Sequence, residues 1–336
     1  VEQAGFELLP PAESIGFIKN ARTWELNRPK SSIFKTTSSP GNTDLSQFTG
    51  LDLVYGNPPC GGLSAMTCSC LSSPTNQHMR NWVRMVVRAR PRLILMENAY
   101  QLVTERCEGL LSELTSVLKD AGYHTWTWRL HSYQVGTPQI RQRCFVCASL
   151  DRPREELVRL SDLPDRKVAA RSLSILPFVE DLVFTDPSSD PVLTADGRVV
   201  TQHWYDKYGQ AAYLLVEKHW DIINRGYWTS KDYERYGERP NARPLWPDCP
   251  TEFGGLNMLR PGVVPSDKPM GSIAGGFKFC HPWARRLLTM RELARCTGYP
   301  DTWEFHAYNV GLISQGIPVM NARWAASRLA QTIELC

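Results

Sequence analysis

Apolar positions along the first 150 residues change period several times, and each change predicts an element. Leu51-Asp52-Leu53-Val54-Tyr55-Gly56 is a short apolar run that stops at a Gly/Pro turn, which suits a buried strand. From Asn76 to Ala89 the residues Met79, Trp82, Val83, Val86 and Val87 recur at helical spacing, and Pro91 ends the pattern. Leu93-Ile94-Leu95-Met96 predicts a second buried strand leading into Glu97-Asn98. Residues 105–121 return to helical spacing through Leu110, Leu111, Leu114 and Leu118, with Gly122 as the C-cap. Residues 123–130 and 144–148 read as two more strands. Strand, helix, strand, helix, strand predicts an α/β domain, a mostly parallel sheet with helices on both faces. Ligands of such sheets sit outside the carboxyl ends of the strands, which is where Cys60 and Glu97 fall, each after a strand end.

Beyond residue 151 the pattern loosens. Proline and charge clusters alternate with Trp204, Tyr205, Tyr208, Trp220, Trp228, Tyr233, Tyr236 and Trp246, and only 209–224 carries a helical period. Residues 151–275 therefore read as a smaller, irregular lobe between a domain at 1–150 and a return segment at 276–336. Regularity comes back at 287–297 and in a final helix at 321–333. No internal repeat and no low-complexity stretch is present.

Composition narrows the class only slightly. Hydrophobic content of 42% and charged content of 21% over 336 residues are those of a globular protein with a substantial core. No apolar run reaches the roughly 18 to 20 residues that span a bilayer, so no membrane segment is expected. A net charge of +4 and a pI near 8.5 permit nucleic-acid binding. Among the 10 cysteines, Cys107, Cys144 and Cys296 fall inside apparent elements, as buried free thiols of an intracellular protein do. Cys144 and Cys147 form a C-x-x-C within a strand without a second pair, and Cys60, Cys68 and Cys70 lack zinc-ligand spacing; no metal site is expected.

Four segments carry candidate chemistry. Pro58-Pro59-Cys60 is a turn stiffened by two fixed φ angles, which presents a thiol at a set angle. Glu97-Asn98 puts a carboxyl group behind four apolar residues. In Gln139-Ile140-Arg141-Gln142-Arg143, alternation puts Gln139, Arg141 and Arg143 on one face. Thr289 and Glu292, within Arg286-Leu287-Leu288-Thr289-Met290-Arg291-Glu292-Leu293-Ala294, have the spacing of a capping box, and Gly298-Tyr299-Pro300-Asp301 follows. Taken singly, each has a plainer structural reading: a rigid turn over a buried thiol, a sheet-edge acid in water, a solvated arginine face, a helix start.

Taken in this order and at these separations, the segments resemble the cytosine-C5 methyltransferase family. Gly56 to Cys60 looks like its nucleophile motif, Glu97-Asn98-Ala99 its acidic motif, and Gln139, Arg141 and Arg143 its Gln-x-Arg-x-Arg motif. Arg286 to Glu292 matches its late Arg-x-Leu-Thr-x-Arg-Glu motif, and Ser314-Gln315-Gly316-Ile317-Pro318-Val319 its last. Glu2 to Glu7 is similar to the helix after the cofactor loop, and Asn27-Arg28-Pro29 fits the pattern further on. The resemblance implies a Rossmann-like class I methyltransferase fold, S-adenosylmethionine as cofactor and double-stranded DNA as partner. It implies that the thiolate of Cys60 adds to C6 of a flipped-out cytosine and makes C5 enamine-like. Glu97 would hold a proton at N3, and Arg143 would hydrogen-bond the cytosine carbonyl oxygen. Arg143 and Arg141 would supply the positive potential that favours a thiolate over a thiol of ordinary pKa about 8.5. Glu13, placed where the family's ribose-binding acid falls, would contact the cofactor with Ser14, Ile15, Asn57, Pro58 and Gln315. The 151–275 lobe would recognise the target, with Arg225, Lys231, Arg235, Arg239 and Arg243 available for phosphates, and 276–336 would complete the catalytic domain. A monomer of restriction-modification type is the expectation. RNA cytosine methylation, and a catalytically silent nucleic-acid-binding fragment, are the alternative readings; an amino-methyltransferase would carry an aromatic where Cys60 stands.

The chain departs from the family mostly at the cofactor end. The family opens with a strand and a Phe-x-Gly-x-Gly turn that would precede Val1, so a truncated chain and a less stable isolated fragment are expected. Gly61 and Gly62 follow the nucleophile where Gln is common, no adenine-binding Asp is found near Lys35-Thr36-Thr37, and Gln315 stands where Asn is usual.

Overall fold

In a computed structural model, the strand and helix pattern of the first half becomes a four-stranded sheet covered on both faces. The structure describes residues 2–8, 12–14, 18–28, 34–36, 48, 50–59, 63, 74–159, 163, 262–264, 269–273, 279–280, 288, 290–300, 302–305 and 310–332. In chain order the strands are β1 (Ala12–Ser14), β2 (Phe34–Thr36), β3 (Leu53–Gly56), β4 (Leu93–Ala99), β5 (His124–His131), β6 (Gln142–Ser149), β7 (Gly262–Val263) and β8 (Phe279–Cys280). The α-helices are α1 (Ile18–Asn27), α2 (Asn76–Ala89), α3 (Glu108–Asp120), α4 (Glu155–Val158), α5 (Met290–Arg295), α6 (Gly311–Ser314) and α7 (Val319–Thr332).

The main sheet has the order β3-β4-β6-β5. β3 and β4 are parallel, with Leu53 opposite Leu93, and α2 makes the crossover between them. β6 runs antiparallel to both β4 and β5. β1 pairs with β2, and β7 with β8, in parallel. Three of the five described pairs are therefore parallel, while the main sheet itself is mixed. The connection 132–141 explains why: an antiparallel return needs only a short link, whereas a parallel neighbour needs a long crossover.

β4 is buried along Leu93 to Asn98, and its alternation divides its side chains between two cores. Ile94 and Met96 pack with Met79, Trp82, Val83 and Val86 of α2 and with Leu110, Leu114 and Leu118 of α3. Leu93 and Leu95 point the other way, into a cluster with Trp126, Trp128, Phe145 and the α7 residues Ala325, Ala326 and Leu329. α2 spans Asn76–Ala89 as its period predicts. The predicted helix at 105–121 begins later: a 3₁₀ turn at Glu105–Cys107 precedes α3, and Cys107 has non-helical angles (φ −114°, ψ 13°) with its thiol buried. Gly122 closes α3 at φ +92°, its N–H donating to the Lys119 carbonyl, a conformation that favours glycine. β3, expected to be buried, is half-buried at the edge of the described sheet, and Tyr55 is exposed.

Of the 151–275 segment, α4 lies against the α/β core. Trp128 donates its indole N–H to the Val158 carbonyl at 2.8 Å. Arg328 of α7 donates to the Leu157 carbonyl at 2.7 Å, its guanidinium over the rings of Trp128 and Trp324. The helical period at 209–224 and the eight aromatics from Trp204 to Trp246 lie outside the described residues. Cys107, Cys144, Cys147 and Cys296 are buried free thiols. Among the described residues no helix is long and apolar enough to cross a membrane, and no cluster of His, Cys, Asp and Glu could hold a metal ion.

Candidate active site

The turn after β3 starts at a close approach. A Cβ on Gly56 would lie 2.8 Å from Nε1 of Trp82, so the strand end can rest on the α2 indole only as glycine. Pro58 is buried next to it. Asn98 of β4 donates from Nδ2 to the Pro58 carbonyl at 3.1 Å and lies 3.4 Å from the Met79 sulfur, while its Oδ1 accepts from Ala99 N–H at 2.9 Å. Cys60, with Gly61 and Gly62, lies outside the described residues. The backbone leading into it is thus pinned at Pro58, two residues before the thiol.

Glu97 was expected just beyond a strand end. It lies inside β4, which continues to Ala99 because the antiparallel ladder with β6 runs on to the Ala99–Arg143 pair. Glu97 pairs with Phe145, and Arg143 lies two residues away on the same face of β6, a diagonal neighbour within reach of long side chains. Arg143 Nε approaches Glu97 Oε1 at 2.8 Å, with the Glu97 side chain only 7% exposed. Burial pushes the Glu97 carboxyl above its ordinary value; Arg143 and Arg141 pull it down without reversing the shift. Arg143 also donates from Nη1 to the Gln142 carbonyl at 2.7 Å.

Alternation along 139–143 is as expected, with Ile140 exposed and Gln139 and Arg141 buried. The buried face is packed inside the protein and not solvated. Gln139 ties three segments together: Nε2 donates to the Cys296 carbonyl at 2.7 Å and to Thr297 Oγ1 at 3.1 Å, and Oε1 accepts from Ile273 N–H at 3.4 Å. Arg141 donates from Nη2 to the carbonyls of Ser314 at 2.9 Å and Gly316 at 3.0 Å.

At the cofactor end, Glu13 and Ser14 close β1, paired with Lys35 and Thr36 of β2, at the carboxyl end of a parallel pair. Ile15 lies outside the described residues, as do Arg286 and Thr289. Asn57 and Gln315 are brought together, Asn57 Nδ2 donating to the Gln315 carbonyl at 3.3 Å. Asn27, the last residue of α1, clasps Glu304 in both directions, donating to its carbonyl at 2.7 Å and accepting from its N–H at 2.8 Å.

Three contributors were not legible as such. In the sequence Asn98 reads only as the companion of Glu97, Met79 as an apolar helix position, and Tyr299 as part of a late motif. Burial pushes the Tyr299 hydroxyl up to about 12, with Arg141 opposing the shift. A Cβ on Gly316 would stand 2.6 Å from that hydroxyl oxygen. Position 98 carried one signal, a polar residue continuing a buried strand, since such a group needs an internal partner.

Residues 2–322 match the family described as C-5 cytosine-specific DNA methylase. The type II methyltransferase M.DdeI of Desulfomicrobium norvegicum is 23% identical over an alignment covering 94% of this chain and 81% of that protein. M.XorII of Xanthomonas oryzae pv. oryzae is 26% identical, covering 99% and 81%. Among solved structures, a DNA modification methyltransferase encoded within an E. coli prophage superimposes with a TM-score of 0.59 at 17% identity, covering 98% of this chain and 94% of that one. The S. pombe Dnmt2 methyltransferase gives 0.57 at 14% identity, covering 99% and 94%. At such identities the two structures speak to the fold alone, an α/β methyltransferase fold.

Proposed function

The chain belongs to the C-5 cytosine-specific DNA methylases, and on that premise we propose that it acts through a covalent adduct between Cys60 and cytosine C6, with Glu97 and Arg143 holding the base. The reaction is methyl transfer to C5 of cytosine in DNA. Cytosine C5 is a weak nucleophile, and adding the Cys60 thiolate to C6 gives it enamine character. Negative charge then develops at N3, where the Glu97 carboxyl, whose hold on a proton is strengthened by burial, keeps a proton against the ring nitrogen. Arg143 hydrogen-bonds the cytosine carbonyl oxygen while its Nε, 2.8 Å from Glu97 Oε1, keeps that carboxyl in place. S-adenosylmethionine, when bound, supplies the methyl group that C5 receives. Loss of the C5 proton and departure of the Cys60 sulfur restore the aromatic ring.

The single observation that carries this reading is the buried Glu97–Arg143 pair on the strand whose next residue, Asn98, pins the Pro58 carbonyl. The polar groups available for the cofactor fit its chemistry: a carboxylate at Glu13 to accept from ribose hydroxyls, and the hydroxyl of Ser14 with the amides of Asn57 and Gln315 for polar ends. Ile15 and Pro58 complete that set. The cytosine must leave the stack, at a cost of a few kcal/mol, and 151–275 is the segment assigned to DNA recognition. Residues 276–336 complete the catalytic domain, a role supported by the packing of α7 on β4 and β6. A monomer modifying duplex DNA in the manner of type II methyltransferases is the state we assign.

Trapping tests the proposal. On a duplex carrying 5-fluorocytosine the C5 fluorine cannot leave as a proton does, so the adduct persists. The full chain with S-adenosylmethionine should form a covalent complex that Cys60→Ser abolishes; adduct formation undiminished in Cys60→Ser would sink the assignment. A matched RNA duplex in parallel measures the preference for DNA.

A further inference from the structure

Resting on the reading that the turn beginning at Asn57 leads to the nucleophile, we propose that Arg141 is a positioning residue: it holds the carbonyls of 314–316 against Asn57, like a latch. Both hydrogens of Arg141 Nη2 are directed at this loop, to the Ser314 carbonyl at 2.9 Å and the Gly316 carbonyl at 3.0 Å. The carbonyl between them, that of Gln315, accepts from Asn57 at 3.3 Å. Three consecutive carbonyls are thus shared between a buried guanidinium and the first side chain of the nucleophile turn. A third wall closes the loop: a Cβ on Gly316 would stand 2.6 Å from the Tyr299 hydroxyl oxygen, while the next nearest atom, the Ile313 carbonyl oxygen, would be 3.5 Å away. A side chain there would therefore have to displace the Tyr299 hydroxyl.

The geometry gives the two arginines of one motif different duties. Arg143 faces the Glu97 carboxyl, and Arg141, two residues earlier on the same face, reaches across to the segment before α7. A guanidinium suits that task because its fork is rigid, always charged, and able to serve two carbonyls with one nitrogen. The latch links the 314–316 loop to the turn that precedes Cys60, so disturbing either end displaces the same backbone.

The test uses the full chain and its variants Arg141→Gln, Arg141→Lys, Gly316→Ala, Tyr299→Phe and the doubles. Adduct formation on the 5-fluorocytosine duplex is read beside thermal unfolding. Arg141→Gln and Gly316→Ala should each slow adduct formation about 10- to 100-fold. Their double should be no slower than the worse single within about 2-fold, since both open one latch. Tyr299→Phe removes the obstructing oxygen, and in combination it should return Gly316→Ala to within about 3-fold of wild type. Arg141→Lys should fall between wild type and Arg141→Gln, because an ammonium is a point charge without the fork. Multiplicative losses, or a wild-type rate in Gly316→Ala, overturn the latch. If Gly316→Ala fails to fold, Asn57→Ala releases the loop at its exposed end and should be non-additive with Arg141→Gln.

Alkylation of Cys60 by iodoacetamide, followed by peptide mass mapping without DNA or cofactor, separates the two readings. If the wild type forms no adduct, the covalent assignment fails, while the latch still requires Arg141→Gln and Gly316→Ala to change the Cys60 alkylation rate by the same factor. Unequal factors, or no change in either, overturn it.

Discussion

Asn98 donates its side-chain amide to the carbonyl of Pro58 at 3.1 Å, and its neighbour Glu97 faces Arg143 from the opposite face of the same strand. One strand therefore sets the spacing between the acid and the turn that carries the thiol. Neighbouring side chains of a strand point to opposite faces, so the acid meets β6 while the amide reaches the α2 side.

Removing the amide should cost both stability and chemistry. Asn98→Ala leaves the buried Pro58 carbonyl without this donor, a loss of about 1 to 3 kcal/mol in urea unfolding. Asn98→Asp replaces the donor by an acceptor facing an acceptor, and should be worse. Both should slow adduct formation on a 5-fluorocytosine duplex more than they weaken DNA binding.

Glu97→Gln keeps shape while removing the titrating proton, and should lower the methylation rate about 100-fold or more. Its effect on stability has a definite sign. Burial raises the Glu97 carboxyl above its ordinary 4.5, so across the interval between those values the folded chain binds more protons than the unfolded one. Stability then falls as pH rises through that interval, from 4.5 upward. Urea midpoints measured from about pH 4.5 to 8 should show the wild type losing ground to Glu97→Gln as pH increases. A difference independent of pH would contradict a carboxyl raised by burial.

Gly56→Ala puts a methyl group 2.8 Å from the Trp82 indole nitrogen, and Trp82 is wedged in the core with no free end to swing away. The strand end must shift, costing about 1 to 3 kcal/mol in denaturant unfolding. Trp82→Phe in the same chain should recover part of that loss, which separates the clash from any effect on backbone freedom.

Thiol chemistry should distinguish the cysteines. Burial pushes the Cys147 thiol well above its ordinary value and the Cys296 thiol up to about 12. Iodoacetamide at neutral pH should leave Cys107, Cys144, Cys147 and Cys296 unmodified in the folded protein and label all four on unfolding, as peptide mass mapping will show.

Much of the α/β core was legible along the chain. α2 begins and ends where its apolar period does, and α3 and the four central strands lie where their patterns put them, with shifts of a few residues at their ends. The shifts have causes beyond local pattern: β4 extends through Glu97 because β6 pairs with it, and α3 starts late because Cys107 is packed into the core. Less legible was the direction of β6. A strand pattern carries no arrow relative to its neighbours, and only the short 132–141 link hints at an antiparallel return.

Residue type and spacing along the chain were enough to name the family and to single out the acid, the arginines and the stiff turn as candidates, because each is a local property. Which partners they meet was settled by contacts between distant segments. Arg141 meets Ser314 across 173 positions, and Asn57 meets Gln315 across 258. No periodicity records such distances. They follow from the way β4 and β6 pack against α2 on one face and α7 on the other, and that packing turned a two-arginine motif into one residue at the acid and one at the loop.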